Sequence, residues 1–264
     1  MPGKEPTEQI ARDNPWYTVD HVSSSQQRRQ RLVIADRIKF ITDTLEEWGR
    51  GKEKRPKILD AGCGDGVLLK PLTDLGTFNV YGIDYNPIRV RRARGNAPQA
   101  TVHQADLTQP KSMQGLGFRD GHFDAIIMSQ VLEHIEHDEQ VLEYVATLLD
   151  DSGIFILGVP NEGCLMGRIR NKVLQPSIAR TTDHVNFYTE KDMLHKLNRA
   201  GFTVDRVERT GFLFPHEAIN ICLASWNGGY RAAGLLGKVI KSQVAGYHFV
   251  CRRKRKNEHS TSQS

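Results

Sequence analysis

Apolar and polar positions along the chain change period several times, and each change marks an element. Between residues 24 and 48, Leu32, Ile34, Ile38, Ile41 and Leu45 recur at near-helical spacing behind N-cap candidates Ser23, Ser24 and Ser25. This predicts one long helix, packed beside a sheet and ending near Gly49 and Gly51. After a basic linker over 52–57, short apolar runs alternate with helical patterns, as in a doubly wound, mostly parallel α/β sheet. Strands are expected over 58–61, 80–84, 101–105, 123–129, 153–159 and 202–209, with a seventh, edge strand over 247–252. Helices are expected over 67–75, 87–94, 139–149 and 189–200, the last closed by Gly201. Asn86 is a natural N-cap, and Pro87 suits a first turn, where its missing N–H costs nothing. The polar stretch 108–122 reads as a loop.

Two stretches break the alternation. Residues 161–187, carrying Cys164, Met166, Arg168, Arg170 and Arg180, follow a strand's carboxyl end, where insertions sit over the ligand crevice of such sheets. Residues 211–246 carry Phe212, Phe214, Trp226 and Tyr230, which either line a substrate pocket or pack into the core. The expected organisation is an N-terminal lid segment and helix (1–52), one domain over 53–253 with the two inserts as a cap, and a basic disordered tail over 254–264. In the proline-containing start, Trp16 and Tyr17 could close over a ligand or pack on the domain surface.

Composition adds bounds. The 264 residues, 39% of them hydrophobic, suffice for one sizeable core. The net charge of +5 is gathered in three clusters, one at Arg28, Arg29 and Arg31, one at Arg89, Arg91, Arg92 and Arg94, and one from Arg252 to Lys256. Each reads as a solvated face or a solubilising tail before it reads as a nucleic-acid footprint. The four cysteines, Cys63, Cys164, Cys222 and Cys251, form no Cys-x-x-Cys pair, which suggests neither a zinc site nor a disulfide framework. With no apolar core of a signal peptide and no run of about 18 apolar residues, a cytoplasmic protein is expected.

The candidate chemistry centres on Lys57-Ile58-Leu59-Asp60-Ala61-Gly62-Cys63-Gly64-Asp65-Gly66, an apolar strand running into three alternating glycines. Glycines there let backbone approach a ligand closely. Alone, the motif is shared by many nucleotide binders. Asp60, two positions ahead of the first glycine, would repel a pyrophosphate, so a phosphate-free cofactor with a positive group fits better. Asp84 ends the second strand at about the 20-residue distance of an acid that holds ribose hydroxyls. Asp106 ends the third, where a carboxylate can accept from an adenine amino group. The plainer reading is that all three acids cap strand ends.

Four motifs stand in register over 55–210: the loop from Leu59 to Gly66, Gly82-Ile83-Asp84, Gln104-Ala105-Asp106-Leu107, and the run from Phe123 through Gln130 and Glu133 to His134. With these the chain resembles the class I S-adenosylmethionine-dependent methyltransferases, which have a Rossmann-like fold. The resemblance implies that Asp60, Gly62, Cys63 and Gly64 face the methionine part of S-adenosyl-L-methionine and that Asp84 takes the ribose hydroxyls. It also implies that Tyr85 lies along the adenine, Asp106 and Leu107 read its edge, and Gln130 lies near the methionine carboxylate or amino group.

For the reaction, His134 is the first candidate base, with Glu133 to orient it and His184 as a second catalytic candidate; the plainer reading is that Glu133 and His134 begin a helix. Ubiquinone-pathway O-methyltransferases and small-RNA 3′-end 2′-O-methyltransferases carry Glu-x-x-Glu-His plus a later histidine that bind a divalent ion. Glu133, His134 and His184 look like three of those ligands, which would make Mg2+ a second cofactor. The first Glu is Gln130 here, and a neutral amide binds Mg2+ more weakly than a carboxylate. The expected function is methylation of a hydroxyl or phenol on a small molecule. N- or C-methylation, RNA 2′-O-methylation, an NAD-dependent oxidoreductase and a non-catalytic nucleic-acid-binding scaffold are the alternatives.

Overall fold

The computed structural model describes residues 24–177 and 184–254, with side chains from residue 32 onward. The expectations for Trp16, Tyr17, Ser23, Arg180 and the tail from residue 255 lie outside the described residues, and those for Ser24, Ser25 and the first arginine cluster lie outside the described side chains.

The chain begins with helix α1 (Ser24–Gly49) and continues through β1 (Lys57–Ala61), α2 (Leu69–Asp74), β2 (Asn79–Asp84), α3 (Pro87–Asn96), β3 (Thr101–Gln104) and α4 (Pro110–Gly115). It goes on through β4 (Phe123–Ser129), a 3-10 turn (Leu132–His134), α5 (Asp138–Leu148), β5 (Leu149–Pro160), α6 (Leu165–Ile169) and a π-helical turn (Arg170–Leu174). The remainder is α7 (Glu190–Arg199), β6 (Phe202–Thr210), α8 (Glu217–Ala224), α9 (Asn227–Val239), a second 3-10 turn (Lys241–Gln243) and β7 (Gly246–Arg253). The strands form one seven-stranded sheet in the order β3-β2-β1-β4-β5-β7-β6. It is parallel except for β7, which runs antiparallel to both neighbours.

Three expectations need correction. The seventh strand is not at the edge: β7 lies between β5 and β6 because it pairs antiparallel with both, and Tyr247, His248, Phe249, Val250 and Cys251 are all buried. The stretch 108–122 contains a short helix, α4, which has a proline in its first turn and buries Met113. The fifth strand starts at Leu149, directly after α5, and a register shift between Phe123 and Ala125 absorbs its polar beginning.

Alternate residues of the strands feed two cores. Leu59, Ala61, Ile126, Met128, Phe155, Leu157 and Val159 pack on one face. Ile58, Ile127, Ile154 and Ile156 pack on the other, under Ile41 and Leu45 of α1. Apart from Ala61, each such side chain contributes roughly 1.5–3 kcal/mol on burial. The carboxyl ends of β1, β2, β4 and β5 meet at one edge, and the strand order reverses between β1 and β4. That switch point is where such sheets hold ligands. Among the described residues, no helix is long and apolar enough to cross a membrane.

Candidate active site

Beyond β1 the backbone turns through Gly62, Gly64 and Gly66 at φ +82°, +54° and +81°, a region that a Cβ disfavours. At Gly62 a Cβ would also run into the methyl groups of Val131, so this glycine lets the loop pass under the segment that follows β4. The Gly62 and Cys63 amides both donate to the Ile83 carbonyl, at 2.9 and 2.8 Å. The Cys63 thiol packs in the core beneath Gly82 and its pKa is raised, by burial first and then by Asp60 and Asp84. Cys63 therefore supports the loop by packing, and its side chain is not offered to a ligand.

Asp84 ends β2 with its carboxylate anchored: Oδ2 accepts from the Gly64 amide and Oδ1 from the Asn86 amide, both at 2.9 Å. Burial raises its pKa against these two bonds. Each oxygen keeps a further lone pair for a ribose hydroxyl. Asn86 caps α3 through bonds from the Ile88 and Arg89 amides. Tyr85 follows, 45% exposed. Asp60 is 3% exposed, and burial pushes its carboxyl up to about 7, with Arg37 pulling it down and Asp84 pushing it further up.

Asp106 is more engaged than its sequence role required. It accepts from the Thr108 amide at 2.9 Å, the Thr108 hydroxyl at 2.7 Å and Gln109 Nε2 at 3.1 Å, which closes the turn into α4. The Leu107 side chain packs in the core. Any adenine contact from Leu107 would therefore be through its backbone.

The segment after β4 carries the second half of the site. Gln130 is the one non-glycine with positive φ among the described residues (+59°), and its amide donates to the Gly158 carbonyl at 2.8 Å. Such a conformation persists only where surrounding structure imposes it. The chain then enters the turn Leu132–His134. The Glu133 carbonyl accepts from the Val185 and Asn186 amides at 2.9 and 3.1 Å, which staples the loop bearing His184 against this turn. Ligand atoms of Glu133, His134 and His184 lie within 4.8 Å of one another, and the two imidazoles meet edge to face at 4.8 Å between centroids. Glu133 is fully buried, and neither carboxylate oxygen has a hydrogen-bond partner from another residue. Burial raises its pKa; its own backbone amide, His134 and His184 oppose that, and Glu162 adds to it.

Behind His184 stands Glu162, whose Oε2 lies 2.8 Å from His184 Nδ1 and whose Oε1 pairs with Arg170. Burial pushes the Glu162 carboxyl up, but His184 and Arg170 outweigh it and hold it below its ordinary value.

Besides Glu162, three residues near this site were missed from sequence. Arg37 of α1 is half-buried; burial lowers its pKa, and the carboxylates of Asp60 and Glu133 counter that. It lies three residues after Ile34 and four before Ile41, so a cation on an apolar stripe was the available signal. His248 of β7 is 5% exposed, packs 5.1 Å from the Phe40 ring, and has no partner on either ring nitrogen. Burial, followed by the Arg37 charge, lowers it to about 4. Ser129, at the end of β4, likewise has a buried hydroxyl with no partner. Neither showed any sequence signal.

The family described as a methyltransferase domain matches residues 26–207. The chain belongs to that family. The resemblance to S-adenosylmethionine-dependent methyltransferases is therefore upheld, and the oxidoreductase alternative is set aside. Similar proteins include the ubiquinone biosynthesis O-methyltransferase of Ruegeria pomeroyi, 29% identical over 60% of this chain and 63% of that protein. The mitochondrial ubiquinone biosynthesis O-methyltransferase of Dictyostelium discoideum is 26% identical over 48% of this chain and 44% of its own length. The chain thus spans about half to two thirds of these curated relatives. In fold it is similar to the magnesium protoporphyrin IX methyltransferase of Synechocystis, solved with bound SAH, at a TM-score of 0.57 and 19% identity over 94% of this chain and 95% of that one.

Proposed function

We propose that this methyltransferase moves the methyl group of S-adenosylmethionine to a hydroxyl or phenol of a small molecule. The relatives named as O-methyltransferases support an oxygen acceptor. The residues of the glycine loop fit the cofactor: a cradle closed to any Cβ at Gly62, an anchored ribose acid at Asp84, and a buried acid at Asp60. In this reading Asp60 faces the cofactor's positive end and Arg37 offers the opposite charge to its carboxylate, with Gln130 alongside. Tyr85, Asp106 and Leu107 border the adenine. Transfer from the cofactor's sulfonium to an acceptor oxygen is an in-line displacement that releases the oxygen's proton, so the chain's work is to position the acceptor and receive that proton.

The observation that carries the acceptor half of the reading is the buried, unpartnered carboxylate of Glu133 beside His134 and His184. A carboxylate so placed needs a cation or a proton. Two imidazoles and one carboxylate fit a divalent transition ion such as Mn2+ or Zn2+ better than Mg2+, which prefers oxygen ligands. Such an ion supplies positive charge that eases ionisation of an acceptor hydroxyl. Without an ion, His134, the exposed member of the trio, receives the proton itself. Exhaustive chelation followed by add-back separates the two. Activity lost with the ion and regained with Mn2+ supports the ion; activity that survives chelation and is lost in His134→Asn supports the base.

A further inference from the structure

The His184 imidazole is held from behind by a pair that the methyl-transfer reading has not used. Glu162 follows β5 and is 9% exposed; Arg170, in the π-helical turn, is 5% exposed. Arg170 ion-pairs with Glu162 and lies 3.7 Å from Glu217 of α8, while its Nε donates to Asn171 Oδ1 at 2.9 Å. The backbone around Glu162 is fixed as well. The Gly163 amide donates to the Tyr188 carbonyl at 2.9 Å, and Arg168 Nε donates to the Gly163 carbonyl at 2.8 Å. At Gly167 a Cβ would collide with the Glu162 carbonyl, so a glycine is what lets α6 close over this residue.

An ionised carboxylate can only accept, so the 2.8 Å contact to Glu162 Oε2 puts a proton on His184 Nδ1. In the neutral ring the other nitrogen, Nε2, then carries the lone pair. We propose that Glu162, gripped by Arg170, is the positioning residue of this site: it fixes His184 as the Nδ1–H form, with its Nε2 lone pair available to the group that Glu133 and His134 also serve. A carboxylate behind a ligating imidazole sets ring orientation and raises ligand basicity. For ion binding, this inference rests on the ion reading above; for the tautomer it stands alone.

Two measurements test it. Long-range 1H–15N spectra of the full chain with labelled histidine, His184 being assigned by its loss in His184→Gln, are expected to show the Nδ1–H pattern. An Nε2–H pattern overturns the proposal, and this readout needs no variant of Glu162 to fold. The metal-stripped full chain is then titrated with Mn2+ alone and followed by electron paramagnetic resonance. Glu162→Gln is expected to bind roughly tenfold to a hundredfold more weakly, with affinity for S-adenosylhomocysteine unchanged. Wild-type Mn2+ affinity in Glu162→Gln, in an experiment where Glu133→Gln has lost it, overturns the role of Glu162 and leaves the ion reading intact. Equal Mn2+ binding by wild type and Glu133→Gln overturns the ion reading, and the tautomer spectrum then decides Glu162 by itself.

Discussion

Replacing Asp60 by Asn should stabilise the cofactor-free protein at neutral pH while weakening its hold on the cofactor. The folded carboxyl sits at about 7 against an ordinary 3.8, because burial disfavours its charge. Between those values the native state holds a proton that the unfolded state has released, so stability falls as pH rises through this window. Three pH units at 1.36 kcal/mol each give a penalty of up to about 4 kcal/mol, complete above about pH 7. The wild-type profile alone will not display it. His248 is lowered to about 4, so its contribution runs the other way: it is present above the ordinary value of 6.5 and is lost as pH falls toward 4. The informative quantity is the difference between Asp60→Asn and wild type in urea unfolding free energy, measured from about pH 4 to about pH 8. It should grow in favour of Asp60→Asn by several kcal/mol across that range, while affinity for S-adenosylmethionine by calorimetry drops. A difference that stays flat with pH would refute the buried-acid argument.

Other consequences are as direct. His134→Asn should leave S-adenosylhomocysteine affinity intact and reduce turnover by roughly a hundredfold or more, seen as a fall in kcat with labelled cofactor. Tyr188→Phe should cost about 1–3 kcal/mol in urea unfolding, because the buried hydroxyl donates to Asp138 Oδ2 at 2.7 Å and lies 3.1 Å from the Leu132 carbonyl. Gly62→Ala should lose at least about 1–3 kcal/mol through its φ of +82°, and calorimetry should show cofactor binding lost with it.

Elements whose period is set locally were legible in the sequence, as were the acids at the strand ends. The place of β7 was not. An apolar run such as Tyr247 to Cys251 suits any strand with both faces covered, and its position depends on pairing with β5 and β6 from distant parts of the chain. The Glu133, His134 and His184 cluster was readable as motif residues, and the structure brings them together. Glu162 and Arg170 lie in a stretch with no regular period, so nothing local marked their pairing. Arg37 was read past because a lone cation on a helix is ordinarily solvated. Asp106 shows the opposite limit: its strand-end position was correct, but its bonds to Thr108 and Gln109 depend on a turn that the sequence left as loop.

The place of β7 also bears on how the sheet is assembled. β6 is made before β7, yet among the described residues β7 is its sole neighbour in the sheet. During synthesis β6 therefore has to wait, with its hydrogen-bonding edges unsatisfied, until some forty further residues have emerged. The strands from β1 to β5 can zip together as they appear, whereas β6 joins the sheet only through β7, which itself pairs with β5. The 211–246 insert is thus the tether whose length sets the delay, and an unpaired β6 is open to capture by a chaperone or by another copy of itself.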